Sequence, residues 1–163
     1  MYDYKKMWTP SLFDASAKSE WIQTIRDNLI EGSVLDLACG TGRFVSAFEN
    51  HDYLGVDIAV QAIEACKTNN PDLKFEVRDI VEWKTKRKFD NIFTWTALEH
   101  IPVEEIEQVA KKLKSMGKNI IMVEPTNFKT EITSYCHDHD YIKLFDAKVV
   151  DDFKSVKMFR RTK

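Results

Sequence analysis

The sequence predicts an α/β fold, a doubly wound and mostly parallel sheet with helices on both faces, and three observations predict it. Apolar runs of strand length alternate with helical patterns along most of the chain. The first run ends in an acid and a glycine-paired turn, Val34-Leu35-Asp36-Leu37-Ala38-Cys39-Gly40-Thr41-Gly42. After Pro125 the alternation gives way to two short strand patterns joined by little more than a turn, which reads as an antiparallel hairpin closing the sheet.

The elements follow in order. Trp21, Ile22, Ile25, Leu29 and Ile30 recur at helical spacing over residues 16–30, and Glu31-Gly32 supplies the stop. Strand-length runs at 34–38, 53–56, 73–77, 89–95 and 119–123 are rich in β-branched or aromatic residues. Helical patterns lie between them at 43–49, 59–68 and 103–116, and the link 80–88 holds only a short helical turn. The hairpin strands are 147–153 and 155–161. Strands that alternate with helices imply a parallel sheet, and ligands then bind at the carboxyl ends of the strands near the switch in strand order.

With 163 residues the chain builds one core and one domain, 1–163. A formal charge of −2 leaves no overall footprint for DNA or RNA, and the basic clusters at 84–88 and 160–163 read as a solvated loop and a chain end. Three cysteines, Cys39, Cys66 and Cys136, have neither disulfide-framework nor zinc-ligand spacing, so no metal is expected. No leader-like apolar region follows Met1, and no apolar run approaches the roughly 18 residues of a membrane helix. A cytoplasmic protein, monomer or homodimer, is the expectation.

The glycine turn decides the type of ligand. A dinucleotide fingerprint needs a third glycine where this chain has Val45, and Asp36 at the strand end would repel a diphosphate. A carboxylate there suits a cofactor that carries an ammonium group, which favours an amino-acid nucleoside. The segment Asp36-Leu37-Ala38-Cys39-Gly40-Thr41-Gly42 resembles the first motif of class I S-adenosylmethionine-dependent methyltransferases, with Ala38 where the family usually has glycine. The resemblance covers roughly residue 33 to the C-terminus. It implies a Rossmann-like, seven-stranded sheet and S-adenosyl-L-methionine as cofactor, with Asp36, Ala38, Gly40 and Gly42 near its methionyl end.

Two further acids stand after the second and third strands. Asp57, followed by Ile58, can accept two hydrogen bonds from vicinal ribose hydroxyls, although an acid capping the next helix has the same position. Asp79 can accept from an adenine amine while the Ile80 N–H reaches a ring nitrogen, with Trp83 either covering the ring or simply packing. Beyond the fourth strand, Leu98-Glu99-His100-Ile101-Pro102 is similar to a recurring form in small-molecule methyltransferases, which would set Trp95 and Thr96 beside the methionyl group. The Asn/Asp/Ser-Pro-Pro-aromatic run of adenine- and amide-methylating members is absent.

Methyl transfer from a cationic sulfur needs alignment and, for a hydroxyl acceptor, removal of a proton. His100 is one candidate base; His137 and His139, in His137-Asp138-His139-Asp140, are the others. That four-residue run fits solvated or helix-capping polar residues better than a metal site. Residues 126–144 read as a substrate-facing insertion, and the aromatic-rich segment 1–17 as a lid or as packing on the sheet edge. The resulting expectation is transfer of a methyl group to an oxygen or nitrogen of a small molecule. The rivals are a cofactor-binding scaffold without turnover and a nucleotide-dependent oxidoreductase.

Overall fold

A computed structural model describes residues 17–125, 136–153 and 156–163. Strand β1 (Ser33–Leu37) pairs in parallel with β2 (Asp52–Asp57) on one side and β4 (Phe89–Trp95) on the other. β3 (Lys74–Val77) extends the sheet beyond β2, and β5 (Gly117–Pro125) extends it beyond β4. β7 (Val156–Thr162) runs antiparallel to β5, and β6 (Lys148–Asp152) closes the far edge. The order β3-β2-β1-β4-β5-β7-β6 is the expected seven-stranded, mostly parallel sheet with its C-terminal hairpin.

Strand side chains alternate between faces, and this sorts the core into two layers. Leu35, Leu37, Leu54, Val56, Ile92, Ile120 and Met122 pack with helix α3 (Val103–Met116) and helix α4 (Tyr141–Phe145). Val34, Tyr53, Phe75, Phe93, Ile121 and Val123 face Ile25 of α1 (Ser19–Asn28), Phe44, Phe48, and Ile63 and Cys66 of α2 (Val60–Asn69). Burying one such aliphatic side chain is worth about 1.5–3 kcal/mol, and removal of Ile106, Val109 or Leu113 would strip α3 from its face.

The amino ends of the strands are tied by buried amides. Asn119 Nδ2 donates to Asn91 Oδ1 (2.9 Å), which also accepts from the Ile30 N–H, and Arg160 Nε donates to Asn119 Oδ1. This network fixes the end of the sheet opposite the loops that matter for function. Among the described residues no helix is long and apolar enough to cross a membrane.

Three local elements differ from the sequence reading. The helical pattern at 43–49 folds as a turn followed by a single 3-10 turn, Val45–Phe48. There Phe44, Ala47 and Phe48 are buried, and a short tight turn brings residues three apart onto one side. Helix α4 was not foreseen: the Asp140 side chain accepts from the Lys143 N–H at 3.0 Å and starts it, and Asp146, at φ +54°, ends it in the left-handed conformation. The hairpin strands are Lys148–Asp152 and Val156–Thr162, with an irregularity between Val149 and Asp151. The lid reading of 1–17 and most of the insertion 126–144 fall on residues 1–16 and 126–135, outside the described residues.

Candidate active site

The switch in strand order lies between β1 and β4, and a cavity of about 380 Å³ opens at their carboxyl ends. Its lining includes Asp36, Ala38, Gly40, Asp57, Ile58, Ile80, Trp95, Thr96 and His100. Sequence residues from four successive strand ends therefore meet around one space.

The loop after β1 is shaped by successive left-handed residues: Ala38 at φ +56°, Gly40 at +54° and Gly42 at +82°. Ala38 bears a Cβ in a conformation that costs an L-residue roughly 1–2 kcal/mol, at the place where the resembled family usually has glycine. Gly42 lies outside the cavity lining, and a Cβ there would stand 3.1 Å from Val45 Cγ2 and 3.3 Å from Cys66 Sγ. Gly42→Ala is expected to destabilise the protein by about 1–3 kcal/mol, through positive φ and overpacking. A urea unfolding curve with an unchanged midpoint would refute this.

Asp57 joins two loops. Its Oδ2 accepts from the Gly40 N–H at 2.9 Å and its Oδ1 from the Ala59 N–H at 2.8 Å, so the capping role and the place at the cavity belong to the same carboxylate. Burial raises its pKa despite these bonds. Asp36 is 3% exposed, and its Oδ2 accepts from the Tyr53 hydroxyl at 2.8 Å. Burial pushes its pKa to about 7.

After β3 the cavity is lined by Arg78 and Ile80. Asp79 is outside the lining; its Oδ1 accepts from the Val81 N–H at 2.9 Å, shaping the turn that presents Ile80. Lys112 of α3 donates to the Ile80 and Val81 carbonyls, which anchors that turn from below. Trp83 packs against the α3 layer and does not line the cavity.

Beyond β4 the wall is aromatic. Trp95 stacks on Phe44 (4.5 Å between centroids) and meets Trp21 (4.9 Å). The Arg43 guanidinium lies over Phe44, Trp95 and Trp21, and its buried Nε has no hydrogen-bond partner among the described residues. Thr96, at φ +48°, is a second left-handed residue with a side chain, held by its N–H to the Val123 carbonyl at 2.7 Å.

The turn Leu98–His100 follows, gripped by a residue the sequence reading passed over. Glu124, at the end of β5 and fully buried, accepts from the N–H groups of Ala97 (3.3 Å), Leu98 (3.1 Å) and Glu99 (3.3 Å). Burial outweighs these bonds and raises its pKa to about 8, and burial raises Glu99 to about 7. These protons are held by the folded chain and released by the unfolded one. Stability of the ligand-free protein is therefore expected to fall as pH rises from about 5 to about 8. Melting temperatures that rise over this range would contradict the assignment.

Of the three candidate histidines, His100 lines the cavity. His139 lies outside the cavity lining: its ring is buried, its Nε2 lies 2.9 Å from the Ile101 carbonyl, and burial lowers its pKa. It pins the segment 136–140 to the turn. The His137 N–H donates to the Glu99 carbonyl at 2.7 Å, and its ring, 6.0 Å from that of His139, is not in the lining. The same two attachments bring Cys136 against Glu99 and His100, a juxtaposition that no sequence spacing announced.

Sheet order, switch-point cavity and strand-end acids together define an enzyme of the class I methyltransferase fold. A family model described as a methyltransferase domain matches residues 34–119, just over half of the chain. The chain belongs to that methyltransferase family, whose methyl donor is S-adenosyl-L-methionine.

Solved structures agree on the fold. An S-adenosylmethionine-dependent methyltransferase from Clostridium acetobutylicum is 13% identical, with a TM-score of 0.71 and 93% of each chain covered. Magnesium protoporphyrin IX methyltransferase from Synechocystis, solved with bound S-adenosylhomocysteine, is 15% identical with a TM-score of 0.68, covering 90% of this chain and 88% of that one. The N-methyltransferase NodS from Bradyrhizobium japonicum is 11% identical with a TM-score of 0.70, covering 88% and 94%. No curated protein sequence matches the chain.

Proposed function

We propose that the chain transfers the methyl group of S-adenosyl-L-methionine to an oxygen or nitrogen of a small molecule. The observation that carries the reading is the switch-point cavity itself, closed by Gly40 and Asp57 on one side and by Trp95, Thr96 and His100 on the other. Its volume lies within the range of small-molecule sites.

The residues fit the donor group by group. Asp57 presents a carboxylate, with Ile58 beside it, to ribose hydroxyls. Ile80 faces the adenine, and Asp79 supports it from outside the cavity. Asp36 complements the ammonium group at the methionyl end. Ala38 and Gly40 keep the backbone close, with Gly42 shaping the turn from outside the cavity lining, while Trp95 and Thr96 flank the sulfur. The bound sulfonium supplies a methyl carbon already activated for in-line displacement. The aromatic wall excludes water and orients the acceptor. His100, at the cavity edge, takes the proton that a hydroxyl or amine acceptor loses.

The formal charge of −2 supports a small-molecule acceptor over DNA or RNA. We place the protein in the cytoplasm, as a monomer or homodimer.

Calorimetric titration of the purified chain with S-adenosylmethionine, S-adenosylhomocysteine and NAD tests the reading. The two sulfur nucleosides are expected to bind at one site per chain, and NAD is not. Preference for NAD, or binding of none, would overturn it. Binding without methyl transfer to any member of a broad acceptor panel would favour the scaffold instead.

A further inference from the structure

We propose that Glu99, His100 and Cys136 form a binding site for a divalent transition-metal ion of the zinc class at the rim of the cavity. One ligand atom from each residue can be chosen so that all three lie within 4.8 Å of one another. Cys136 Sγ is 3.7 Å from His100 Nδ1 and Glu99 Oε1 is 3.7 Å from Nε2 of the same ring; an ion takes one of the two nitrogens, so one of these approaches is a ligand edge. The edges of a tetrahedron with metal bonds of about 2.0–2.3 Å measure roughly 3.3–3.8 Å. Drawing the three ligand atoms in from within 4.8 Å of one another to that edge length, a movement of about 1 Å, brings a thiolate, an imidazole and a carboxylate onto one ion, with the fourth position open.

The site is built from two sides. Glu124 clamps the turn that carries Glu99 and His100, and the His137 N–H and His139 ring clamp the segment that carries Cys136 to that turn. The ligand-bearing backbone is thus fixed before an ion arrives, as metal sites require of their supporting groups.

A second observation points the same way. The Tyr141 hydroxyl is buried and makes no hydrogen bond among the described residues. It lies in the field of Glu124, Glu99, Asp138 and Cys136, beside the cluster. A buried donor left without a partner costs about 1–3 kcal/mol, and a water on the ion's open position would relieve it.

Binding displaces the Cys136 thiol proton to solvent, so uptake releases a proton. His100 borders the cavity, so the ion's open position is within reach of an acceptor's oxygen or nitrogen lone pair. This last consequence rests on the proposed function; with an ion bound, His100 is a ligand, and lowering of the acceptor's pKa by the ion replaces the base role that His100 has in the metal-free chain.

The test uses the full chain stripped of metal and titrated with cobalt(II) chloride, then zinc chloride. Expected are one cobalt per chain, a thiolate-to-cobalt charge-transfer band in the near ultraviolet, and displacement by zinc. Cys136→Ser is expected to lose the band, and Glu99→Gln to weaken zinc at least about 10-fold. Metal-free melting curves show whether both variants fold. If one does not, the stoichiometry and band of the unaltered chain decide. Absence of uptake at micromolar metal, or a band that survives in folded Cys136→Ser, would overturn the site. Uptake failing in a chain that binds S-adenosylhomocysteine removes the metal site alone; an intact band without nucleoside binding supports the site and removes the proposed function alone.

Discussion

Asp57→Ala is expected to reduce affinity for S-adenosylhomocysteine at least about 100-fold, with the folded chain retained. The substitution removes the acceptors of two backbone N–H groups, Gly40 at 2.9 Å and Ala59 at 2.8 Å. Hydrogen bonds to a charged acceptor contribute about 1.5–3 kcal/mol each, and a ribose left without its acceptor adds to the loss. The glycine turn then loses its link to β2 while the sheet beneath stays intact. Asp57→Asn keeps one acceptor oxygen and should fall between. Calorimetry on the two variants beside the wild type is the measurement; equal affinities would show that the nucleoside binds elsewhere.

Glu124→Ala is expected to cost about 3 kcal/mol or more, because three backbone N–H groups, two of them buried and one half-buried, lose their acceptor at once. For a chain of this size that corresponds to a melting temperature lower by roughly 6–12 °C. Glu124→Gln keeps a carbonyl oxygen and should lose much less. It also removes the carboxyl that burial holds at about 8, so stability should decline less steeply between about pH 5 and pH 8 than in the wild type. Scanning calorimetry at several pH values separates the two effects. A Gln variant as unstable as the Ala variant, with the wild-type slope, would mean that Glu124 does not act through these bonds.

Much of the fold was legible because its signals are local. Alternation along β1, with Leu35 and Leu37 on one face and Val34 on the other, is written in neighbouring residues. So is the periodicity of Ile106, Val109, Ala110 and Leu113. The acids at strand ends were legible for the same reason: each closes its own strand. The weaker points involve short or distant relations. Residues 43–49 carry a helical pattern, but left-handed residues just ahead leave room only for a 3-10 turn. Glu124 carries no local signal of its role, because its partners are amides after β4, brought beside it by the parallel pairing of β4 and β5. The meeting of Cys136 with Glu99 and His100 depends on segment 136–140 folding back on the turn, which no periodicity in either stretch encodes. His139 shows the limit of reading side chains by chemistry alone, since a buried carbonyl claimed its ring.

The strand order carries a consequence for how the protein is made. β7 is translated after the other six strands of this sheet, yet it lies inside it, between β5 and β6. The crevice between β1 and β4 is assembled from residues translated well before it. Until Val156–Thr162 emerges, the edge of β5 from Asn119 to Pro125 has no partner on that side, and an unpaired edge is a template for strands of other chains. A nascent chain thus passes through a stage in which the strands that border the crevice are present while the sheet is still open, and the arrival of β7 closes that edge.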